Sequence, residues 1–184
     1  MALEIFTIGH STHSLEDFLA LLGGAQIELL ADIRRFPGSR KFPHFGQAPL
    51  AAALEKAGIG YHWLEGLGGR RNKSKLEVSP NQAWRNTSFR NYADYMLTSE
   101  FASAVDELLE HARQRRTALM CSESVFWRCH RRLVSDFLVA HSIGVQHIMP
   151  TGKMQPHTLT AGAVVEGTMV TYPLDGEKQA MLFE

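Results

Sequence analysis

Leu119-Met120-Cys121-Ser122-Glu123-Ser124-Val125-Phe126-Trp127-Arg128-Cys129-His130-Arg131-Arg132 passes from an apolar run, through a polar turn, to a helix start headed by Cys, His and two Arg. Such a stretch is a strand, a loop and a helix N-terminus, with most of the reactive side-chain types of the chain in one loop. Upstream, the strand begins at Thr117; downstream, Leu133, Val134, Phe137 and Leu138 keep helical spacing from about His130, and Val145 to Met149 forms a further strand. A strand followed by a helix and another strand is the unit of a parallel sheet, whose strands all end along one edge. In open α/β proteins ligands bind at that edge.

The N-terminal part repeats the alternation. Leu3 to Ile8 is β-branched and aromatic and ends in Gly9-His10-Ser11-Thr12-His13, a strand running into a polar loop. Ser14 with Asp17 three residues on caps a helix that keeps Leu15, Phe18, Leu19 and Leu22 on one face until Gly23-Gly24. Ile27 to Ile33 is a nearly continuous apolar strand, and Arg34-Arg35-Phe36-Pro37-Gly38-Ser39-Arg40-Lys41 a cationic loop after it. Pro49 opens a second helix that stops at Gly58, and Ile59 to Leu64 is a third strand, followed by the glycine and cation run Gly66 to Lys73. The segment from Asn72 to Ser88 lacks periodicity and contains Pro80, so a long loop is expected. Tyr92, Tyr95 and Met96 mark one helix, and Phe101, Val105, Leu108 and Leu109 the next. The expected fold is a single α/β domain, a three-layer sandwich around a mostly parallel sheet of about five strands spanning residues 1–150. Residues 151–184 read as a small β-rich extension, with a hairpin between Thr158 and Tyr172 at the sheet edge, and a tail of the same domain.

At 184 residues the chain can bury one substantial core. Its 19 Lys and Arg balance 19 Asp and Glu, which excludes bulk electrostatic attraction to nucleic acid and leaves only local clusters of cations to provide it. Met1-Ala2-Leu3-Glu4-Ile5 has no signal-peptide pattern and no apolar run is long enough to span a bilayer, so a cytoplasmic protein without membrane association is expected. In a reducing compartment Cys121 and Cys129 point to packing, catalysis or redox sensing before a structural disulfide.

A parallel sheet brings together the loops after strands one, two, three and four. Ser11, Arg34, Ser39, Arg40, Arg70 and Arg131 then form a candidate anion-binding set, because arginine offers a planar fork of donors and helix N-termini add free N–H groups. Asp32, Glu123, His10 and His130 are the candidate acids, bases and proton carriers. Asp32 lies in an otherwise apolar strand and needs a partner; Arg34, two residues on, shares its face. It either positions an Arg, acts as a base, or binds a ribose hydroxyl. Cys121 and Cys129 are candidate thiols near a helix start, but the spacing from Cys121 to Arg128 is one residue too long for the phosphate loop of Cys-dependent phosphatases. The thiols and His130, with His10 or His13, match no common zinc spacing, so neither a metal nor another cofactor is expected. Trp127, in the polar loop, is a candidate for stacking on a base.

Thr7-Ile8-Gly9-His10-Ser11, Asp32-Ile33-Arg34 with Pro37 and Ser39-Arg40, Gly68-Gly69-Arg70, Tyr92-Ala93-Asp94-Tyr95-Met96, Met120-Cys121-Ser122-Glu123 and Cys129-His130-Arg131 together resemble the bacterial family known as domain of unknown function 488. The resemblance runs in order from the first strand to about His147. It implies the same α/β fold and a shared site built from these motifs, and it implies no particular activity. Ser122 departs from the Ala often present in the family.

Three functions fit. The first is an enzyme acting on a phosphate-bearing substrate, a nucleotide or nucleic acid, by hydrolysis at a phosphoester or N-glycosidic bond. The second is a non-catalytic DNA-associated adaptor. Its basis is the C-terminal Gln179-Ala180-Met181-Leu182-Phe183, which resembles the peptide that docks on the bacterial sliding clamp, with Leu182 and Phe183 filling a pocket and Gln179 fixing the register. Ala180 departs from the Leu usual there. The third is a Cys-dependent phosphatase-like or rhodanese-like enzyme using Cys121 or Cys129.

Overall fold

The computed structural model describes residues 3–174. Its main sheet has six strands in the order β3-β2-β4-β1-β5-β6. These are β1 (Glu4–Gly9), β2 (Leu29–Asp32), β3 (Gly60–Trp63), β4 (Thr117–Cys121), β5 (Gly144–Ile148) and β6 (Met154–Pro156). The first five pair in parallel and β6 runs antiparallel to β5. The helices are α1 (Leu15–Gly24), α2 (Gln47–Lys56), α3 (Thr87–Tyr95), α4 (Ser99–Gln114) and α5 (Arg131–Ala140). Ser14 caps α1 by accepting from the Asp17 backbone N–H, as its position before an acidic first turn predicts.

Alternation along the strands divides the core into two layers. Phe6, Ile8, Leu30, Ala118 and Met120 face α1 and α2, where they meet Phe18, Leu22, Leu50 and Leu54. Ile5, Ala31, Ile33, Leu119 and Val145 face α3, α4 and α5, against Tyr92, Phe101, Val105, Leu108, Leu133 and Leu138. Both faces of β4 are therefore covered, and all five of its residues are buried. The three-layer arrangement follows from that double coverage.

The chain leaves β1 and β2 toward the α1 and α2 layer, and leaves β4 toward α5 in the opposite layer. Neighbouring strands β1 and β4 thus send their following loops to opposite faces, which opens a crevice at their carboxyl ends. This topological switch places the site.

Two expectations change at the C-terminal side. The edge of the sheet is occupied by β6, which follows Gly152 in a left-handed turn, and not by the expected hairpin. The hairpin exists as β7 (Val164–Glu166) and β8 (Met169–Thr171), but it forms a separate two-stranded sheet. Val170 and Tyr172 alternate inward from it and are buried in the α3 to α5 layer, because an aliphatic side chain and an aromatic ring find cover there and not at an edge. Among the described residues no helix is long and apolar enough to cross a membrane. Gln179, Leu182 and Phe183 lie outside the described residues.

Candidate functional site

The loops after β1, β2, β3 and β4 converge. Together with the start of α3 they line a cavity of about 740 Å³ whose wall includes His10, Ser11, Arg34, Ser39, Gly69, Arg70, Glu123, Cys121, Cys129 and His130. The strand ladder continues past β1 and β4 through His10 N–H to Cys121 O and Ser11 N–H to Ser122 O, so these two loops are locked in register. Gly9 is required at the junction. A Cβ there would lie 1.8 Å from the Glu123 carbonyl oxygen. Gly9→Ala is therefore expected to push the Glu123 loop away from β1 and lower stability by about 1–3 kcal/mol, read as a reduced urea midpoint.

Asp32 ends β2 fully buried, and the context-based expectation of a partner holds. Its carboxylate accepts from Arg34 Nε at 2.8 Å, Arg34 Nη2 at 2.5 Å, the Arg34 backbone N–H at 3.1 Å and the Tyr61 hydroxyl at 2.8 Å. Burial and the Asp32 carboxylate together push the Tyr61 phenol up, so it stays a donor. Burial opposes charge on Arg34, but its bonds to Asp32 outweigh this and hold its pKa above the ordinary value. A further donor, Arg34 Nη1, binds Phe45 O at 2.7 Å. Arg34 lines the cavity and Asp32 does not, so Asp32 aims and charges the guanidinium from behind.

His10 is stacked on Phe45 at 4.3 Å, and its Nδ1 lies 3.0 Å from the Ser11 carbonyl oxygen. That bond places the proton on Nδ1 and leaves Nε2 as an acceptor on a ring that lines the cavity. Burial first, and the Arg34 charge second, lower its pKa to about 4. His10 is a neutral imidazole at neutral pH.

Ser11 (φ 44°) and Arg70 (φ 56°) hold left-handed backbone that non-glycine residues rarely adopt. Gln26 and Ser142 do the same, but they follow α1 and α5, where this conformation is a routine helix ending. Neither Ser11 nor Arg70 ends an α-helix. Strain held at a cavity wall marks a place where side-chain direction matters. Arg70 is exposed at the lip beside Gly68-Gly69, whose missing side chains let the loop pack on the Arg35 backbone and the His130 ring.

The remaining candidates divide. Glu123 is exposed on the wall, and Ser39 lines it while accepting from the Phe42 N–H. Arg40 is exposed and outside the lining. Arg131, expected among the anion ligands, is buried and committed to the fold: its Nη2 donates to Glu123 O at 2.6 Å and its Nη1 to the Thr7 hydroxyl at 3.4 Å. A helix start pointing into the sheet carries it inward. Trp127 is exposed but does not line the cavity. His130 sends Nε2 to Ile33 O at 3.1 Å and turns Nδ1 toward Cys129 Sγ at 3.6 Å and Cys121 Sγ at 3.8 Å. Three ligand-type side chains are thus gathered that spacing along the chain gave no reason to group.

Two groups escaped sequence reasoning. Arg35 and Arg128 also line the cavity; Arg35 is paired with Glu65 at 2.8 Å, and Arg128 is the exposed last residue of the single 3-10 turn Phe126–Arg128. The second is a buried chain of polar contacts. Arg131 donates to Thr7, and the Thr7 hydroxyl meets His147 Nδ1 at 2.7 Å. His147 Nε2 meets His157 Nδ1 at 2.9 Å, and His157 Nε2 reaches Asp136 at 2.8 Å. Tyr172 and the Thr160 N–H also donate to Asp136, each at 2.7 Å. This chain ties the C-terminal extension to the carbonyl of Glu123. Polar residues scattered over β1, α5, β5 and the extension carry no periodic signal.

A family model described as Domain of unknown function DUF488 matches residues 14–138 of the chain. No curated protein and no solved structure matches it. The matched span contains β2 to β4 and most of α5, and with them nearly all of the cavity wall.

Proposed function

The chain belongs to the DUF488 family, and we propose that it is an enzyme that binds a phosphate-bearing substrate, a nucleotide or a nucleic-acid terminus, in this cavity and hydrolyses a bond of it. One observation carries the reading: a buried guanidinium, Arg34, anchored by Asp32, with one side on a cavity of about 740 Å³. A cavity of that size suits a mononucleotide-sized ligand. Asp32 offsets the charge of Arg34, so excess positive charge comes from Arg70 and Arg128 at the wall, against the single lining carboxylate Glu123 among the described residues.

In this reading Arg34 and Arg70 hold the phosphate, Glu123 serves as the acid or base, and neutral His10 accepts a proton through Nε2. An anion beside Arg34 cancels part of the field that depresses His10 and so raises its pKa from about 4. Binding is then coupled to proton uptake, and affinity rises as pH falls from 7 toward 5. Calorimetry in two buffers of different ionisation enthalpy measures this; a binding enthalpy independent of buffer at pH 5 removes His10 from contact with the anion.

Turnover is tested with a panel of nucleotides, phosphoesters and nucleosides. Glu123→Gln should abolish hydrolysis, by about 100-fold or more, while leaving substrate affinity within a few-fold. Cys121→Ser and Cys129→Ser should retain phosphate binding, whereas a thiol enzyme would lose its covalent step in one of them. DNA binding without turnover, together with binding to the sliding clamp that is lost on deletion of residues 179–183, would instead favour the clamp-docked adaptor.

A further inference from the structure

We propose that Cys121, Cys129 and His130 form a three-ligand site for a thiophilic divalent cation of the zinc class, with its fourth position open to the cavity. Their two sulfurs and one ring nitrogen all lie within 4.8 Å of one another. The two distances from His130 Nδ1, 3.6 Å to Cys129 Sγ and 3.8 Å to Cys121 Sγ, are close to a tetrahedral edge. For sulfur at about 2.3 Å and nitrogen at about 2.0 Å from a central ion, that edge is about 3.5 Å.

The ring is oriented for the task. His130 Nε2 lies 3.1 Å from the Ile33 carbonyl oxygen, so the proton is on Nε2 and the Nδ1 lone pair faces the sulfurs. Donation of the far N–H to a backbone carbonyl is the usual way a metal-binding imidazole is fixed. The ring is also held in place, 5.0 Å from Tyr92 and against Gly69. A Cβ at residue 69 would lie 2.8 Å from Nδ1, so the glycine keeps the face of the lone pair clear.

The sulfurs are supported as well. Cys129 Sγ accepts from the Arg131 backbone N–H at 3.5 Å, and Ser122 Oγ is 4.0 Å from Cys121 Sγ. Both cysteines are free. Among the described residues no fourth His, Cys, Asp or Glu joins the group, while all three members line the cavity. Two thiolates and one imidazole with a vacant fourth position is the arrangement of catalytic zinc, which binds water or a substrate oxygen there. Two thiolates neutralise a divalent ion, so the cationic wall keeps its attraction for anions. The group His62, Glu107 and His111 lies outside this lining and is exposed at Glu107.

The site is tested by titrating Co²⁺ into reduced, chelator-stripped full-length protein under anaerobic conditions. Expected are one equivalent of tightly bound ion, a sulfur-to-cobalt charge-transfer band in the near ultraviolet, tetrahedral ligand-field bands in the visible, and displacement of cobalt by Zn²⁺. Cys121→Ser and Cys129→Ser should each weaken binding by about 100-fold and reduce the charge-transfer intensity, with far-ultraviolet circular dichroism unchanged. His130→Gln, which retains a polar group near Ile33 O, should do the same. Absence of the charge-transfer band, or cobalt affinity unaltered by both serine variants, overturns the proposal. Conversion of the pair to a disulfide in air without metal uptake by the reduced protein overturns it too. Phosphate binding measured on the same metal-free protein stands apart, so failure here is distinguishable from failure of the anion-binding reading.

Discussion

Replacing Asp32 with Ala should lower stability by about 3–5 kcal/mol, because it strands the Arg34 guanidinium in a buried position with its principal partner removed. The Tyr61 hydroxyl and the Arg34 backbone N–H lose their acceptor at the same time. For a chain of this size the change corresponds to a fall in Tm of roughly 10 °C, measurable by calorimetry. The compensated variant Asp32→Leu with Arg34→Met should recover much of the stability, since apolar side chains can replace a buried ion pair at little cost. It should not recover phosphate affinity. That split separates positioning of Arg34 from direct base chemistry at Asp32. A positioning residue gives weak binding and low stability in Asp32→Ala, and Asp32→Asn, which keeps one of the two accepting oxygens but loses the charge and turns an amide NH2 toward the remaining donors, raises KM. A direct base gives a folded Asp32→Asn protein with unchanged KM and kcat reduced by orders of magnitude.

Asp136→Ala should be as damaging, again about 3–5 kcal/mol. Three buried donors, from His157, Thr160 and Tyr172, converge on this one carboxylate, and its removal leaves each without an acceptor. The loss should spread to the cavity through His157, His147, Thr7 and Arg131, so hydrogen exchange at the Glu123 loop should quicken together with that at β8. Faster exchange at β8 alone would show that the polar chain does not transmit order to the loop. The same chain makes the fold sensitive to acid. Burial, then the neighbouring His157 and Arg131, lower the His147 pKa to about 2, as burial and Arg34 lower that of His10 to about 4. Both folded values lie below the unfolded 6.5, so the unfolded chain binds more protons as pH falls below it. Stability is full above about 6.5 and declines continuously from there, with the His10 contribution complete near pH 4. By pH 5 each histidine is expected to cost on the order of 2 kcal/mol, and urea midpoints constant from pH 7 to pH 5 would contradict it.

The α/β class was legible because periodicity is local. Ser14 with Asp17, the apolar β2 run and the exact span of β4 each report their own neighbourhood. Strand order was not, since the insertion of β4 between β2 and β1 depends on pairing across the whole chain. Met154-Gln155-Pro156 was overlooked as a strand because it is short, exposed and without alternation. The site was legible to the level of loops: a parallel sheet must bring its carboxyl ends together, and the cavity wall draws on all four predicted loops. Direction of side chains was not. Arg128 and Arg131 are three residues apart, yet Arg131, at the first turn of α5, is buried against the Thr7 hydroxyl and the Glu123 carbonyl while Arg128 lines the cavity. His130 similarly faces Cys121 and Cys129 only because Ile33 O fixes its far nitrogen.

The proposed function rests on anion binding in this cavity, and isothermal titration with pyrophosphate and a nucleoside monophosphate measures it directly. The expected result is binding at a single site that weakens with added salt and falls by about 10-fold or more in Arg70→Met and again in Arg128→Met, both exposed positions where folding should be unaffected. Affinity equal in wild type and both variants, or no heat of binding at millimolar ligand, would contradict it.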